Sequence, residues 1–259
     1  MKLIASISAV EARSAPAVER GASFRPWLVL FGRMALFAAS QAVLALVFYL
    51  AGTAGAWQAG ADWWPLTATA ANLIGLAALA AFFRAEGGRF SGLFRVSRTH
   101  VKSDLLAVLG LTVLMAPVSY LPNVLLGGWL FGDSAATLPL IVRPLPLWAV
   151  YSALIIFPVT QGLVELAAYF GFVEPRLEAL GLARWAAVSL AALMLAFQHA
   201  AVPLLFDIRF IVWRGLMFIP FAFLVGAVLR LRPRLLPYLA VIHALMDFSF
   251  IMMFLEFAY

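Results

Sequence analysis

The sequence predicts an all-α fold, a polytopic membrane helix bundle with about seven to eight transmembrane helices. Of its 259 residues, 65% are hydrophobic and only 12% are charged, and the mean hydropathy is +1.00. Soluble domains carry about a quarter charged residues. Cysteine is absent, which excludes disulfides, thiolate metal sites and a cysteine nucleophile.

The spans can be located in order along the chain. Residues 1–26 contain Glu11 and Glu19 and lack the apolar core of a signal peptide, so we expect a cytoplasmic tail. About 20 apolar residues are needed to cross the hydrocarbon core. Seven later stretches meet this requirement, and they predict spans at 27–54, 65–84, 104–130, 146–173, 184–206, 208–230 and 235–257.

Local signals refine three of these spans. Pro117 and Pro122 predict a break in the third span, because proline cannot donate a helix hydrogen bond. The fifth and sixth spans are separated by a tight turn near Asp207. We also expect a short eighth helix near 135–144. Residues 27–144 then form an N-terminal group of transmembrane helices, and 145–259 form a second group.

The basic residues predict the orientation of the bundle. All but four of the 18 Lys and Arg residues fall on one side of the predicted membrane. By the positive-inside rule this side is cytoplasmic, as is the N-terminus. The Ala-, Leu- and Arg-rich composition predicts a bacterial inner membrane. Because the basic residues lie between apolar runs, the net charge of +6 does not indicate nucleic-acid binding.

A few polar residues interrupt the apolar spans. Gln161, Glu165 and Tyr169 are spaced by four and therefore share one face of the fourth span. His243 and Asp247 have the same spacing in the seventh span, and His199 lies in the fifth. Singly, each of these side chains is explained by a hydrogen bond between helices.

Together, these residues favour a shared interior site, because ionisable groups in spans face a cavity or one another. A carboxylate with two imidazoles suits activation of a water molecule, proton relay or cation binding. The same set also contains ligands that zinc accepts.

The last four spans resemble the CPBP family, which includes CAAX prenyl endopeptidases, bacteriocin-processing enzymes and Abi-type proteins. Its first motif, Glu-Glu-x-x-x-Arg followed by Gly and Pro-Arg-Leu, is similar to "ELAAYFGFVEPRL" from Glu165 to Leu177. Its second, Phe-x-x-x-His, is matched in part by "LAFQH" ending at His199. Its third, His-x-x-x-Asn/Asp, is matched by His243 and Asp247. The resemblance covers roughly residues 145–257, and the first three spans carry no such motif.

The resemblance implies an intramembrane peptidase that hydrolyses a peptide bond without a covalent intermediate. Glu165 is implied to be the general base, with His199 as its partner. His243 and Asp247 are implied to position the water or stabilise the oxyanion. Tyr169 and Gln161 are expected to support the site. Tyr169 is also expected to supply a hydrogen bond in place of the second glutamate and the arginine of the first motif, which this chain lacks. The implied partners are a membrane-embedded or membrane-associated peptide and the lipid bilayer.

The chain departs from the family pattern at two positions of the first motif. Leu166 stands at the second glutamate and Phe170 at the arginine. The missing glutamate would have been a metal ligand, so zinc is possible but not supported by the sequence, and we expect no cofactor. Because one negative and one positive charge are lost together, their electrostatic effects offset each other.

Two other functions fit the sequence. One is a catalytically inactive homologue that binds or scaffolds a membrane partner. The other is a proton-coupled transporter, although no inverted repeat supports it. Against a single site, Glu165 lies on the order of 10 Å shallower than His199 when counted along the predicted spans.

Overall fold

The computed structural model describes residues 24–259, which are mostly helical and include no β-strand. Residues 1–23 of the predicted tail lie outside the described residues. In chain order the helices are α1 (Arg25–Leu50), α2 (Ala56–Asp62), α3 (Trp64–Ala85), α4 (Val101–Phe131), α5 (Leu138–Ile141), α6 (Leu147–Leu166), α7 (Glu174–Ala179), α8 (Arg184–Phe197), α9 (Ile208–Met217), α10 (Ile219–Leu231) and α11 (Leu236–Met252).

The protein is a multi-pass membrane protein. Six stretches of the described chain are long and apolar enough to cross a membrane: Arg25–Leu50, Trp64–Ala85, Val101–Phe131, Leu147–Ala179, Ile208–Leu231 and Pro233–Glu256. Large apolar side chains cover their outer faces; Leu106 is 70% exposed and Trp129 is 76% exposed. Such a surface is suited to lipid and not to water.

The predicted fifth span, 184–206, is not one long helix. α8 has only 14 residues and continues into a 3-10 turn, Gln198–Ala200. The structure therefore does not confirm the predicted count of seven to eight. Beyond the turn, the side chain of Gln41 donates to the Leu204 carbonyl at 2.9 Å and accepts from its N–H at 2.8 Å. Irregular backbone is tolerated at membrane depth where protein groups satisfy it in this way.

The predicted break in the third span is wrong. α4 continues through Pro117 and Pro122 for 31 residues. In lipid no water competes for the remaining backbone hydrogen bonds, so two missing donors do not end a helix. The expected short helix near 135–144 is found as the 3-10 turn Ser134–Thr137 followed by α5.

The fourth span is longer than predicted. α6 passes into a π-helical segment, Ala167–Val173, and then into α7, so the helical path reaches Ala179. Pro175 lies in the first turn of α7 and cannot donate a backbone hydrogen bond. The wider π turns precede this proline and keep the path continuous. This extension places Glu165 far from the end of its span.

Ion pairs join the loops that carry most of the Lys and Arg residues at one end of the bundle, which we call the basic end. Arg176 donates through Nε to both Glu86 oxygens, at 3.0 and 3.1 Å. Arg230 pairs with Glu178 at 2.6 Å, and Arg234 pairs with the fully buried Asp104 at 2.7 Å. These contacts join the ends of α3, α4, α7, α10 and α11.

The apolar core has two parts, separated by a polar layer. The part toward the basic end includes Leu30 and Phe172, and the part toward the opposite end includes Phe37 and Trp64. Arg33 lies between Leu30 and Phe37 on α1 and is only 3% exposed. A buried arginine between two apolar clusters marks the depth at which the polar residues gather.

Candidate functional site

One cavity brings the predicted residues together. It has a volume of about 530 Å³ and is lined by Glu165, His199, His243, Asp247 and Gln161. Residues of α4 and of the Ser134–Ile141 segment complete its wall. Tyr120 of this wall is 64% exposed and the Asp247 side chain is 21% exposed. The cavity therefore reaches the protein surface between α4 and α11.

The Glu165 carboxylate is 1% exposed and its two oxygens have different surroundings. Oε2 accepts hydrogen bonds from the side-chain amides of Gln161 and Gln198, the latter at 2.7 Å. Oε1 lies 3.5 Å from His243 Nε2 and has no hydrogen-bond partner among residues 24–259. One oxygen is thus fixed by two donors, while the other keeps its lone pairs for a ligand.

The His199 ring is held in one tautomer by the end of α8. Its Nδ1 lies 2.9 Å from the Leu195 carbonyl oxygen. Because a carbonyl oxygen only accepts, Nδ1 carries the proton and Nε2 presents a lone pair. Nε2 is 3.9 Å from Glu165 Oε2. The ring stacks on Phe218 with centroids 3.8 Å apart, which fixes its plane.

His243 and Asp247 come from one face of α11. His243 Nε2 lies 3.4 Å from Asp247 Oδ2 and 3.5 Å from Glu165 Oε1. This nitrogen therefore stands between two carboxylates and is placed to donate to either. Gly162 makes the approach of α6 to α11 this close: a Cβ there would lie 2.6 Å from the Ala240 carbonyl oxygen.

The expected difference in depth between Glu165 and His199 is wrong. Fourteen residues separate Glu165 from Ala179, where the helical path ends; this corresponds to about 21 Å. Fifteen residues separate His199 from Arg184 at the start of α8, which corresponds to about 22 Å. The two side chains meet because the π-helical segment and α7 extend the fourth span.

The first helices, which carry no family motif, supply an arginine to the site. Arg33 donates through Nε to Gln198 Oε1 at 3.0 Å and through Nη2 to Gln161 Oε1 at 3.4 Å. It also donates to Asn72 Oδ1 on α3 at 3.2 Å. The guanidinium thus holds the amide oxygens of both glutamines whose nitrogens donate to Glu165.

Sequence reasoning missed this role, although a signal was present. Arg33 is a charged residue well inside an apolar span, where charge is expensive and functional by default. Phe170, which stands where the resemblance implies an arginine, packs against Gly226; a Cβ at that glycine would lie 2.8 Å from the ring. A positive charge is therefore present near Glu165, but it comes from another helix.

Tyr169 reaches Glu165 only indirectly. Its hydroxyl donates to Gln198 Oε1 at 3.1 Å, and Gln198 donates to Glu165. The expected hydrogen bond in place of the lost groups is therefore one residue removed from the carboxylate. Leu166 is also buried, but it belongs to the apolar core and adds no polar group.

Replacing Tyr169 by Phe is expected to lower the free energy of unfolding by about 0.5–1.5 kcal/mol. The loss is small because Arg33 still donates to the Gln198 oxygen. Thermal unfolding in detergent micelles measures it, and the exposed Tyr151→Phe on α6 is the matched control. A loss above about 3 kcal/mol would contradict an indirect role.

The cluster contains side-chain types that zinc accepts. Across residues 24–259, no group of three or more His, Asp or Glu side chains is arranged to hold a metal ion.

Comparisons with models of protein families, with curated proteins and with solved structures gave no match to this chain. The function must therefore be inferred from the site.

Proposed function

We propose that the protein is a membrane-embedded peptidase that hydrolyses a peptide bond of a membrane-associated peptide or protein. We further propose that it is a divergent member of the CPBP family in a bacterial inner membrane, with its N-terminus in the cytoplasm. The observation that carries the proposal is the convergence of Glu165, His199, His243 and Asp247 on one cavity. The basic end, with most of the Lys and Arg residues, supports the orientation.

The proposed reaction uses Glu165 as general base. Oε1 takes a proton from a water molecule, which attacks the carbonyl carbon of the scissile bond. The two glutamine amides on Oε2 hold the carboxylate so that Oε1 faces the cavity. A rigidly placed base of this kind contributes about 10²–10⁴-fold to the rate.

The histidines have complementary roles in this proposal. His243, placed to donate through Nε2, stabilises the oxyanion that forms on the carbonyl oxygen. Before substrate binds, Asp247 Oδ2 lies 3.4 Å from that nitrogen and keeps the ring turned toward the cavity. His199 presents an unprotonated Nε2 that lies 3.9 Å from Glu165 Oε2. It accepts the proton from the Glu165 carboxyl as the intermediate forms, which returns Glu165 to its carboxylate form. The proton then passes to the leaving amine, which departs as the carbon–nitrogen bond breaks.

The test is hydrolysis of a mixed synthetic peptide library by protein reconstituted in lipid nanodiscs, with products identified by mass spectrometry. Glu165→Gln is expected to reduce cleavage by about 10²–10⁴-fold. The fold should be kept, because Gln is isosteric and its oxygen can accept from the same amides. Glu174→Gln is the matched control: it lies on α7, is buried, and pairs with Arg230 outside the cavity.

A scaffold function predicts instead that Glu165→Gln leaves the function of the protein unchanged. The absence of the motif's second glutamate at Leu166 and of its arginine at Phe170 favours that alternative. If neither the native protein nor Glu174→Gln cleaves any peptide, or if Glu165→Gln cleaves equally well, the peptidase proposal is wrong. Thermal unfolding of each variant shows whether a loss of cleavage reflects a loss of fold.

A further inference from the structure

A buried arginine that the proposed reaction does not use lines the cavity. Arg214 on α9 is 7% exposed and lines the same cavity as Glu165. Its Nη2 donates to the Val202 carbonyl oxygen at 2.9 Å, and its Nη1 lies 3.9 Å from Met217 Sδ. Its Nε is buried and has no hydrogen-bond partner within residues 24–259.

Arg214 differs from the other buried cation of the cavity region in its partners. Arg33 donates to three amide oxygens. Arg214 has one carbonyl and a thioether, and no Asp or Glu in the described part of the chain forms an ion pair with it. A buried charge without a counter-charge is strongly unfavourable. This favours an anionic group of a ligand as its complement.

The location of Arg214 connects it to the proposed reaction. Its Cζ lies 5.2 Å from the Phe218 ring centroid, and the same ring stacks on His199. An anion at the guanidinium would therefore lie within a few residues of extended peptide from the imidazole. The surrounding wall is apolar, with Met217, Phe221 and Phe250 among its residues.

We propose that Arg214 binds a carboxylate of the peptide substrate, a few residues from the bond that is cut. The inference rests on the proposed function and names its substrate class: apolar peptides with an acidic side chain or a free C-terminus near the cleavage site. A planar guanidinium matches a carboxylate in a two-bond arrangement, and a dry cavity strengthens the pair. Nε has no partner among residues 24–259, and each terminal nitrogen carries two N–H groups, so Nε and the neighbouring Nη can donate together to one carboxylate.

Binding can be measured without cleavage. Glu165→Gln protein in phosphatidylcholine nanodiscs is titrated with three leucine- and alanine-rich hexapeptides, all N-acetylated. One ends in a free carboxylate, one ends in an amide, and one ends in an amide but contains an internal Glu. Each titration is repeated after adding Arg214→Gln or, as a matched control, Arg209→Gln; Arg209 is an exposed residue of the same helix that pairs with Asp207.

The two acidic peptides are expected to bind about ten-fold or more tightly than the neutral one. Arg209→Gln should keep this preference and Arg214→Gln should abolish it. If only one acidic peptide is preferred, the source of the carboxylate is the C-terminus or the side chain accordingly. Arg214→Lys keeps the positive charge but loses the planar pair of nitrogen donors, so it should weaken the preference several-fold. This variant replaces Arg214→Gln in the test if the Gln variant unfolds.

Two outcomes would overturn the inference. One is equal binding of acidic and neutral peptides by the parent protein, or an unchanged preference in Arg214→Gln and Arg214→Lys. The other is that phosphatidylglycerol nanodiscs stabilise the protein in a way that depends on Arg214, while no peptide has any effect. That result would assign the site to a lipid phosphate. Acid-selective binding together with no library cleavage would instead reject the peptidase function and retain the carboxylate site.

Discussion

Replacing Arg33 by Met is expected to lower the free energy of unfolding by about 3–5 kcal/mol. Methionine fills much of the volume but leaves the oxygens of Gln198, Gln161 and Asn72 without their donor. It also removes the positive charge behind the amides that bind Glu165. Reversible unfolding in detergent mixtures measures the loss. Arg25→Met, on the same helix but partly exposed and 3.8 Å from Glu86, should cost about 1 kcal/mol or less.

A double-mutant cycle isolates the part of this loss that involves Glu165. The Arg33→Met, Glu165→Gln double variant removes both charges, so it should lose less stability than the two single variants together. The expected interaction energy is about 1–3 kcal/mol, although no ion pair joins the two side chains directly. Additive losses would show that Arg33 serves only the packing of α1, and that the two glutamines do not couple it to the carboxylate.

Replacing Gly162 by Ala is expected to lower the free energy of unfolding by about 1–3 kcal/mol and to reduce cleavage in the same assay. The new Cβ would lie 2.6 Å from the Ala240 carbonyl oxygen and 3.0 Å from the Ala244 Cβ. Backbone on α11 cannot rotate away, so the two helices must separate. The separation moves His243 away from Glu165 Oε1, which it now approaches to 3.5 Å.

Gly110 provides the matched control for this effect. It lies within α4, and a Cβ there would meet no atom within 4 Å. Gly110→Ala should therefore be neutral or stabilising by up to about 1 kcal/mol, because alanine favours helix. Gly162→Leu should be worse than Gly162→Ala. Equal effects at Gly162 and Gly110 would contradict the close approach of α6 and α11.

The membrane class and most spans could be predicted from the sequence, because apolar runs of span length have one physical explanation. The fifth predicted span shows the limit of that argument. Hydropathy alone cannot distinguish a continuous helix from α8 followed by the buried turn around Leu204. The turn is held by Gln41, 163 positions earlier, which donates to the Leu204 carbonyl and accepts from its N–H, and by Trp57, which donates to the same carbonyl.

The candidate site was predictable to a similar extent. Helical spacing and motif order pointed to Glu165, His199, His243 and Asp247, and the structure places all four around one cavity. Their catalytic roles stay predictions. Arg33 was missed because its partners lie 39, 128 and 165 positions away, and no local pattern relates them. Arg214 was missed because its proposed role depends on the absence of a charged partner among residues 24–259, which a sequence pattern does not reveal.

The distribution of ion pairs has a consequence for how the molecule opens. At the basic end, charged contacts tie α3, α4, α7, α10 and α11 together. Among residues 24–259, the ion pair that joins distant segments at the opposite end is Arg143 with Asp62, and both side chains are partly exposed. The amplitude of motion should therefore increase along α4 with distance from the basic end, toward the segment before α6. Under the proposed function, a peptide would enter at that more mobile end, while the helices that hold Glu165 stay in place.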